Sequence, residues 1–561
     1  MKPIYVIVPT LLLSIVMLSC EPAQTDEGRL REFIANHLKQ LEPKMAAMNI
    51  AEWNANATGE KKYYDENAAL DLQIKRLRSN KEEFEFLKDL KDRNVIHDSL
   101  LQRELILFYN NYARNQLDST LLSAIVAKQS AIANTFNTFR GKIDGKDVSD
   151  NDISTILKNE KNVEKRRKAW EASKQVGQAV APMVVELVKL RNQAAKKLGF
   201  DDYYVMSLAT DEQDANEVIQ VFDNLKQLTD EPFKQMKQEL DARLAKKFGT
   251  TVQKLRPWHY EDPFFQEPPQ SPGVDFDAFF KGKNIEGLGR TFYTGIGLPA
   301  DDILKRSDLY PRTGKYQHAY ENDMDRKGDI RVMLNITDNQ QWMSTLLHEL
   351  GHGVYSKNVD TGLPWLLRVE THTFVTEAIA ELMERQCYNP DWLQTMVGIS
   401  DKDKEAVARV QHDKLRSKEL VFSRWTQVMV RFERGMYQNP DQDLNKLWWD
   451  LVEEYQLIKR PEGRNEPDWA AKIHLAQYPC YYHNYMLGEL AASQILNAVS
   501  TKVEKLPTIE EISFAGKPAI GEYLKTRIFM PGARLQWNDL LKYATGEGLT
   551  PKYFAEEFVG K

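Results

Sequence analysis

The sequence predicts an almost wholly α-helical protein, and three observations carry the prediction. Apolar residues recur at three-to-four spacing, with charges between them, along most of the chain. Alternating apolar and polar runs, the mark of half-buried strands, are almost absent. No repeat, low-complexity tract or compositional boundary divides the 561 residues. One large, almost all-α domain with two lobes about a cleft is therefore expected, rather than the roughly three or four domains that length alone would suggest.

The first element stands apart from that fold. Lys2 precedes an uncharged run from Ile4 to Met17, then Leu18-Ser19-Cys20 and the polar, acidic stretch Glu21 to Glu27. The run is too short for a comfortable membrane span and reads as an export signal. A Cys directly after a small residue at its end resembles the lipobox of bacterial lipoproteins, in which that Cys is acylated and becomes the mature N-terminus. An ordinary cleaved signal with an incidental Cys is the competing reading. The expectation is a signal peptide over residues 1–19, lipidation at Cys20, a short tether over 20–27 and one helical domain over 28–561. Such a protein is exported and membrane-anchored, facing periplasm or cell surface. Cys387 and Cys480 are the remaining thiols; an exported pair could form one disulfide, and spacing does not decide whether they meet.

Beyond Gly28, helices are expected over Leu30 to Leu41, Tyr63 to Leu77, Lys81 to Leu90, Ser99 to Gln116 and Leu121 to Phe139. They continue over Glu164 to Lys197, Asp214 to Lys247 and Lys402 to Tyr437. Leu255 to Asp275 is the one long irregular stretch. Its aromatic content argues against disorder, so an ordered lining segment is expected. Ile330 to Asn335 reads as a short strand beside the helix that follows it. With 81 acidic against 75 basic residues, a net charge of −6 and no basic arm, nucleic acid is not implied as a partner. A membrane is implied only through the lipid anchor.

The helix after that strand carries the chemistry. Met343, Leu346, Leu347, Leu350 and Val354 recur at helical spacing, with Thr337 or Asp338 available as a cap. Within it stands His348-Glu349-Leu350-Gly351-His352, an H-E-x-x-H pattern. On a helix the two imidazoles lie one turn apart on one face, where they can share a metal ion. Glu349 lies roughly 100° round the helix and can serve as a base without being a ligand.

A catalytic zinc site takes three protein ligands and keeps an open position. The third is expected from a second helical segment, Thr373 to Leu382, which places Glu377 and Glu381 one turn apart. Glu377 is assigned as the ligand. Glu381 is expected to accept a hydrogen bond from the second nitrogen of a ligand His, which fixes its tautomer.

The H-E-x-x-H followed by E-A-I-x-[DE] resembles the gluzincin metallopeptidases of the angiotensin-converting-enzyme family, which are zinc peptidyl-dipeptidases. Ala51-Glu52-Trp53-Asn54 and the long tract Arg434 to Leu451 are similar to further signatures of that family. The resemblance implies an elongated, two-lobed helical ellipsoid with a deep central channel and one Zn2+ per chain. It implies Glu349 as general base, with His474 and Tyr485 donating hydrogen bonds to the tetrahedral intermediate. Lys472 and Tyr482 would hold a free C-terminal carboxylate, and His318 and Ala319 the substrate backbone. Two departures stand out. Trp258-His259-Tyr260 lacks the Gln of a family W-x-Q element that helps hold the carboxylate. Asn484 replaces the Arg found between the two tyrosines of chloride-activated members, so chloride is not expected to be a strong activator.

The leading expectation is release of C-terminal dipeptides from oligopeptides. The alternatives are a zinc oligoendopeptidase of related fold and a catalytically inert peptide-binding lipoprotein. Intact Glu349 and a complete ligand set argue against the last.

Overall fold

A computed structural model describes residues 25–116, 119–269 and 273–559. The expected signal segment with Cys20 lies outside the described residues. Five helices open the fold: α1 (Asp26–Thr58), α2 (Lys61–Arg78), α3 (Lys81–Arg93), α4 (Ser99–Ala113) and α5 (Ser119–Thr138). Helix α1 thus begins inside the stretch expected as a tether, because Thr25 caps it by accepting from the Gly28 N–H at 3.1 Å. A hairpin, β1 (Gly141–Ile143) and β2 (Lys146–Val148), leads into α6 (Asp150–Asn159), α7 (Val163–Lys197), α8 (Tyr203–Thr210) and α9 (Ala215–Lys247). From Leu255 to Pro269 the stretch folds as short turns with Tyr260 and Phe265 buried, so this part of it is ordered as expected.

Three short helices, α10 (Asp277–Phe280), α11 (Ile285–Gly295) and α12 (Asp301–Arg306), precede a second hairpin. Its strands β3 (Tyr320–Asp323) and β4 (Ile330–Met333) pair antiparallel, with Tyr320 opposite Met333. Then come α13 (Gln340–Lys357), α14 (Thr373–Glu384), α15 (Pro390–Trp392) and α16 (Asp401–Gln438). Last are α17 (Leu444–Leu451), α18 (His474–Gln477), α19 (His483–Ala498), α20 (Pro518–Leu524), α21 (Trp537–Thr545) and α22 (Lys552–Phe558). The protein is all-α, and among the described residues the only strands are those of the two hairpins.

Two large apolar cores, with a small third cluster of Trp53, Met324 and Met333, organise these helices. The larger draws residues from Leu121 to Phe558 and holds α13, α14 and α19 at its centre. The smaller joins Leu30 and Ile34 of α1, Leu87 and Leu90 of α3 and Phe108 of α4, and is closed by Trp365 and Leu366 from the connection between α13 and α14. Helix α1 also braces the β3–β4 hairpin, since Asn49 donates to the Met324 carbonyl at 3.1 Å and Asn56 to the Tyr320 hydroxyl at 3.0 Å. Among the described residues no helix is long and apolar enough to cross a membrane. Cys387 and Cys480 are both buried and free, so the pair forms no disulfide.

One buried acid sits behind the α18–α19 connection. Glu433 of α16 accepts the Cys480 N–H at 2.8 Å, and burial pushes its carboxyl up to about 8. A folded value above the ordinary one means that stability is greatest in acid and is lost as pH rises toward about 8. Glu433→Gln keeps the acceptor and removes the charge. Its melting temperature is expected to match the parent at pH 5 and to exceed it increasingly above neutrality; equal values at both pH extremes would contradict this.

Candidate active site

Helix α13 is fixed at its start by Asn339, whose side chain accepts from the Trp342 N–H at 2.9 Å. This corrects the expectation of a Thr337 or Asp338 cap. Asp338 instead accepts from the Gly282 N–H at 2.7 Å, and Thr337 accepts from the Asn339 amide at 3.0 Å. Eight residues into the helix, His348 and His352 point their Nε2 atoms at one another, 3.2 Å apart.

Helix α14 returns antiparallel to α13, as its contacts show. His352 Nδ1 meets Thr376 Oγ1 at 2.7 Å, whereas His348, one turn earlier, meets Glu384 Oε2 through Nδ1 at 2.9 Å. The helices approach so closely that a β-carbon on Gly351 would lie 3.0 Å from the Cα of Ala380. Glu377 is thereby brought to the histidine pair, its Oε2 lying 3.5 Å from His348 Nε2 and 3.9 Å from His352 Nε2.

Glu381 does not take the expected place. An antiparallel partner for the earlier histidine must stand two turns beyond Glu377, and that residue is Glu384, seven positions on. Glu381 turns toward α19 instead, where a β-carbon on Gly488 would lie 3.7 Å from its Oε1. It is buried beside Glu489 and Arg385, its Oε2 has no hydrogen-bond partner, and burial drives its carboxyl well above the usual range. The helical spacing of Glu384 from Glu377 was the available sequence signal.

Nδ1 of each histidine is engaged, so two imidazole Nε2 atoms and one carboxylate oxygen converge, all within 4.8 Å of one another. Two facing nitrogen lone pairs and a carboxylate form a donor set that repels itself unless a cation lies between, and two nitrogens with one oxygen suit zinc. The residues therefore fit the metal. Burial, then the neighbouring His348, pulls His352 down to about 4, which keeps its imidazole neutral, as ligation requires. Against the opposing push of burial, the neighbouring His348 and His352 hold the Glu377 carboxyl below its ordinary value.

Glu349 is buried, and burial pushes its carboxyl up to about 7, even though the Glu321 N–H of β3 hydrogen-bonds it. The strand expected before the metal helix is β4, and its partner β3 thus reaches the proposed base. His318 and Ala319 stand just before β3; His318 is exposed, its ring 5.3 Å from Tyr316.

The remaining expected residues gather on the α18–α19 side. His474 lies 5.1 Å from Tyr482, and Tyr482 lies 5.3 Å from Tyr485, ring to ring. Tyr485 feels the charge of Glu377, and His474 Nδ1 is buried without a partner. Lys472 is half-buried, with its Nζ 5.4 Å from the Trp425 ring and 5.5 Å from the Tyr482 ring. The Gln missing from Trp258-His259-Tyr260 has a counterpart further along the same loop. Gln266 Oε1 accepts from Lys472 Nζ at 2.9 Å, a contact that no local spacing announces. Trp425 Nε1 donates to the Tyr482 hydroxyl at 2.7 Å, which leaves that hydroxyl's own hydrogen free to point elsewhere. Asn484 is buried and accepts from Gln213 Nε2 at 3.0 Å.

With this geometry in place, the comparison with known families can be stated. The pattern of peptidase family M3 covers residues 156–278 and 305–560, well over half of the chain.

Proposed function

Because the chain belongs to peptidase family M3 and is a zinc metallopeptidase, a hydrolase of peptide bonds, we propose that it releases dipeptides from the free C-termini of oligopeptides. The observation that carries the proposal is the Lys472 ammonium, set among Phe264, Trp425 and Tyr482 and held by the Gln266 carbonyl. An immobilised cation beside a free hydroxyl hydrogen is a carboxylate receptor. Tyr482 packs against Tyr485, which feels the Glu377 charge, and a carboxylate held on that side of the metal ligands would set the product length. The resemblance of Lys472-Ile473-His474 and Tyr482 to Tyr485 to the angiotensin-converting-enzyme family supports the same reading.

Zinc held by His348, His352 and Glu377 supplies Lewis-acid activation of water and of the scissile carbonyl when bound. The chain's own residues do the rest. Glu349 takes a proton from the attacking water and passes it to the leaving amine. A carboxyl poised at about 7 is suited to both transfers. Tyr485 and the unpartnered His474 donate to the developing oxyanion. Ala319 offers main-chain groups at the start of β3, as an added strand would need, and His318 binds beside it. An N-terminal lipid on Cys20 would hold this machinery at a membrane facing the periplasm or cell surface.

The test compares one peptide as free acid and as C-terminal amide. Amidation is expected to lower kcat/KM about tenfold or more through loss of a charge-assisted contact. Lys472→Ala should lose the same factor on the acid alone. Undiminished cleavage of the amide would show an oligoendopeptidase instead. Burial pulls Lys472 down to about 8. The ammonium is charged below that value, so the advantage of acid over amide should fade as pH rises through about 8.

Asn484 is already satisfied by Gln213, so no anion is needed between the tyrosines. Added chloride at fixed ionic strength is expected to leave the rate unchanged; a several-fold rise would contradict this.

A further inference from the structure

We propose that the turn Asp211-Glu212-Gln213, between α8 and α9, is a positioning element that holds the ligand-bearing helix and the tyrosine-bearing helix in register, with Gln213 as its central side chain. The kinetic arm of this proposal rests on the peptidase reading above; its structural arm does not.

The buried Gln213 amide serves two partners. Its Nε2 donates to Asn484 Oδ1 at 3.0 Å, and its Oε1 accepts from His483 Nε2 at 2.6 Å. These two residues lie between Tyr482 and Tyr485. Helix α19 begins there with no side-chain cap of its own. The first turn of α19, which aims both tyrosines, is therefore fixed from outside by one amide. Burial pulls His483 down to about 3, so it stays neutral and its Nε2–H remains a donor at ordinary pH.

The other end of the turn grips α14. His372 caps that helix by accepting the Phe374 N–H on Nδ1 at 3.3 Å, which leaves its hydrogen on Nε2. That Nε2 lies 3.2 Å from both the main-chain oxygen and Oδ2 of Asp211. Helix α14 carries Thr376, Glu377 and Glu384, which complete the metal site. Two residues of one turn, Asp211 and Gln213, thus contact the starts of both helices.

The turn itself is pinned. Glu212 adopts a left-handed backbone with φ of 60°, unfavourable for a residue other than glycine. Arg103 binds its carboxylate, Trp537 Nε1 donates to its carbonyl at 2.8 Å, and Arg114 binds Asp211 Oδ1 at 2.7 Å. A strained turn held from α4 and α21 is rigid enough to transmit position. Gln suits the central place because it offers one acceptor and one donor at the required reach.

Gln213→Leu is the test, assayed on both acid and amide peptides so that the outcome is independent of product length. The variant is expected to keep one zinc per chain while kcat falls about 30-fold on both peptides, the scale expected when a catalytic group is misplaced, with any rise in KM confined to the acid peptide that Tyr482 helps to hold. Gln213→Glu still accepts from His483, and the Asn484 amide can rotate to donate, so its kcat should stay within about threefold of the parent. Hydrogen exchange of residues 481–487 should quicken in the Leu variant and not in the Glu variant, whatever the enzyme cleaves. A Leu variant with parental kcat and parental exchange, or a Glu variant as impaired as Leu, would overturn the proposal. If Gln213→Leu fails to fold, Gln213→Asn, one methylene too short to reach both partners, takes its place with the same expectations.

Discussion

A Glu349→Gln protein is expected to bind zinc as the parent does and to cleave peptides roughly a thousandfold more slowly, within the usual range for removing a general base. The separation of the two properties is the informative part. Glu349 lies outside the triangle formed by His348, His352 and Glu377, and its environment is set by burial and by the Glu321 N–H. An amide of the same shape keeps the packing and loses only the proton acceptor. Metal analysis and single-turnover assays on the same preparation check this. A variant that turns over at the parental rate would remove Glu349 from the reaction, and one that loses its zinc would make it a structural support of the metal.

The second large effect is graded along α14. Glu377→Ala removes one of three converging donors, and the protein is expected to lose its zinc on dialysis together with all activity. Glu384→Ala leaves the donors in place but frees His348 Nδ1, now held at 2.9 Å. Loss of such a partner typically weakens metal binding by about 10–100-fold. Glu381→Ala should leave zinc affinity unchanged, since Glu381 faces Glu489 and Arg385 rather than a histidine. Competition with a chromophoric chelator orders the three. Equal losses for Glu381→Ala and Glu384→Ala would contradict the observed pairing.

Local periodicity made most of the helical scaffold legible. Helices such as Ser99–Ala113 and Ala215–Lys247 follow the apolar spacing closely, and their caps are the Asp residues that precede them. The convergence of His348, His352 and Glu377 was legible for a related reason: two side chains one turn apart need only a helix, and a third carboxylate needs only a returning one. What escaped notice depends on how the helices cross. Glu381 and Glu384 both lie near the face of Glu377, and only the antiparallel offset of α13 against α14 selects the latter. Gln266 and Gln213 reach the site from loops distant in sequence, so no spacing could have placed them. The Asn339 cap, one position past the expected Asp338, reflects the ordinary uncertainty of helix starts.

The near-contact of Gly351 with Ala380 carries a consequence for how such a catalyst can be altered. At 3.0 Å a side chain on that seam would push the α14 backbone away by a few tenths of an ångström, so this close approach helps set how far apart the ligands stand. Substitutions elsewhere in the cleft can redirect which peptides are accepted while the metal geometry stays constant, and a change at Gly351 would disturb that geometry for every substrate alike. In this protein, part of the constraint on the metal geometry therefore falls on Gly351, a residue that takes no part in the chemistry.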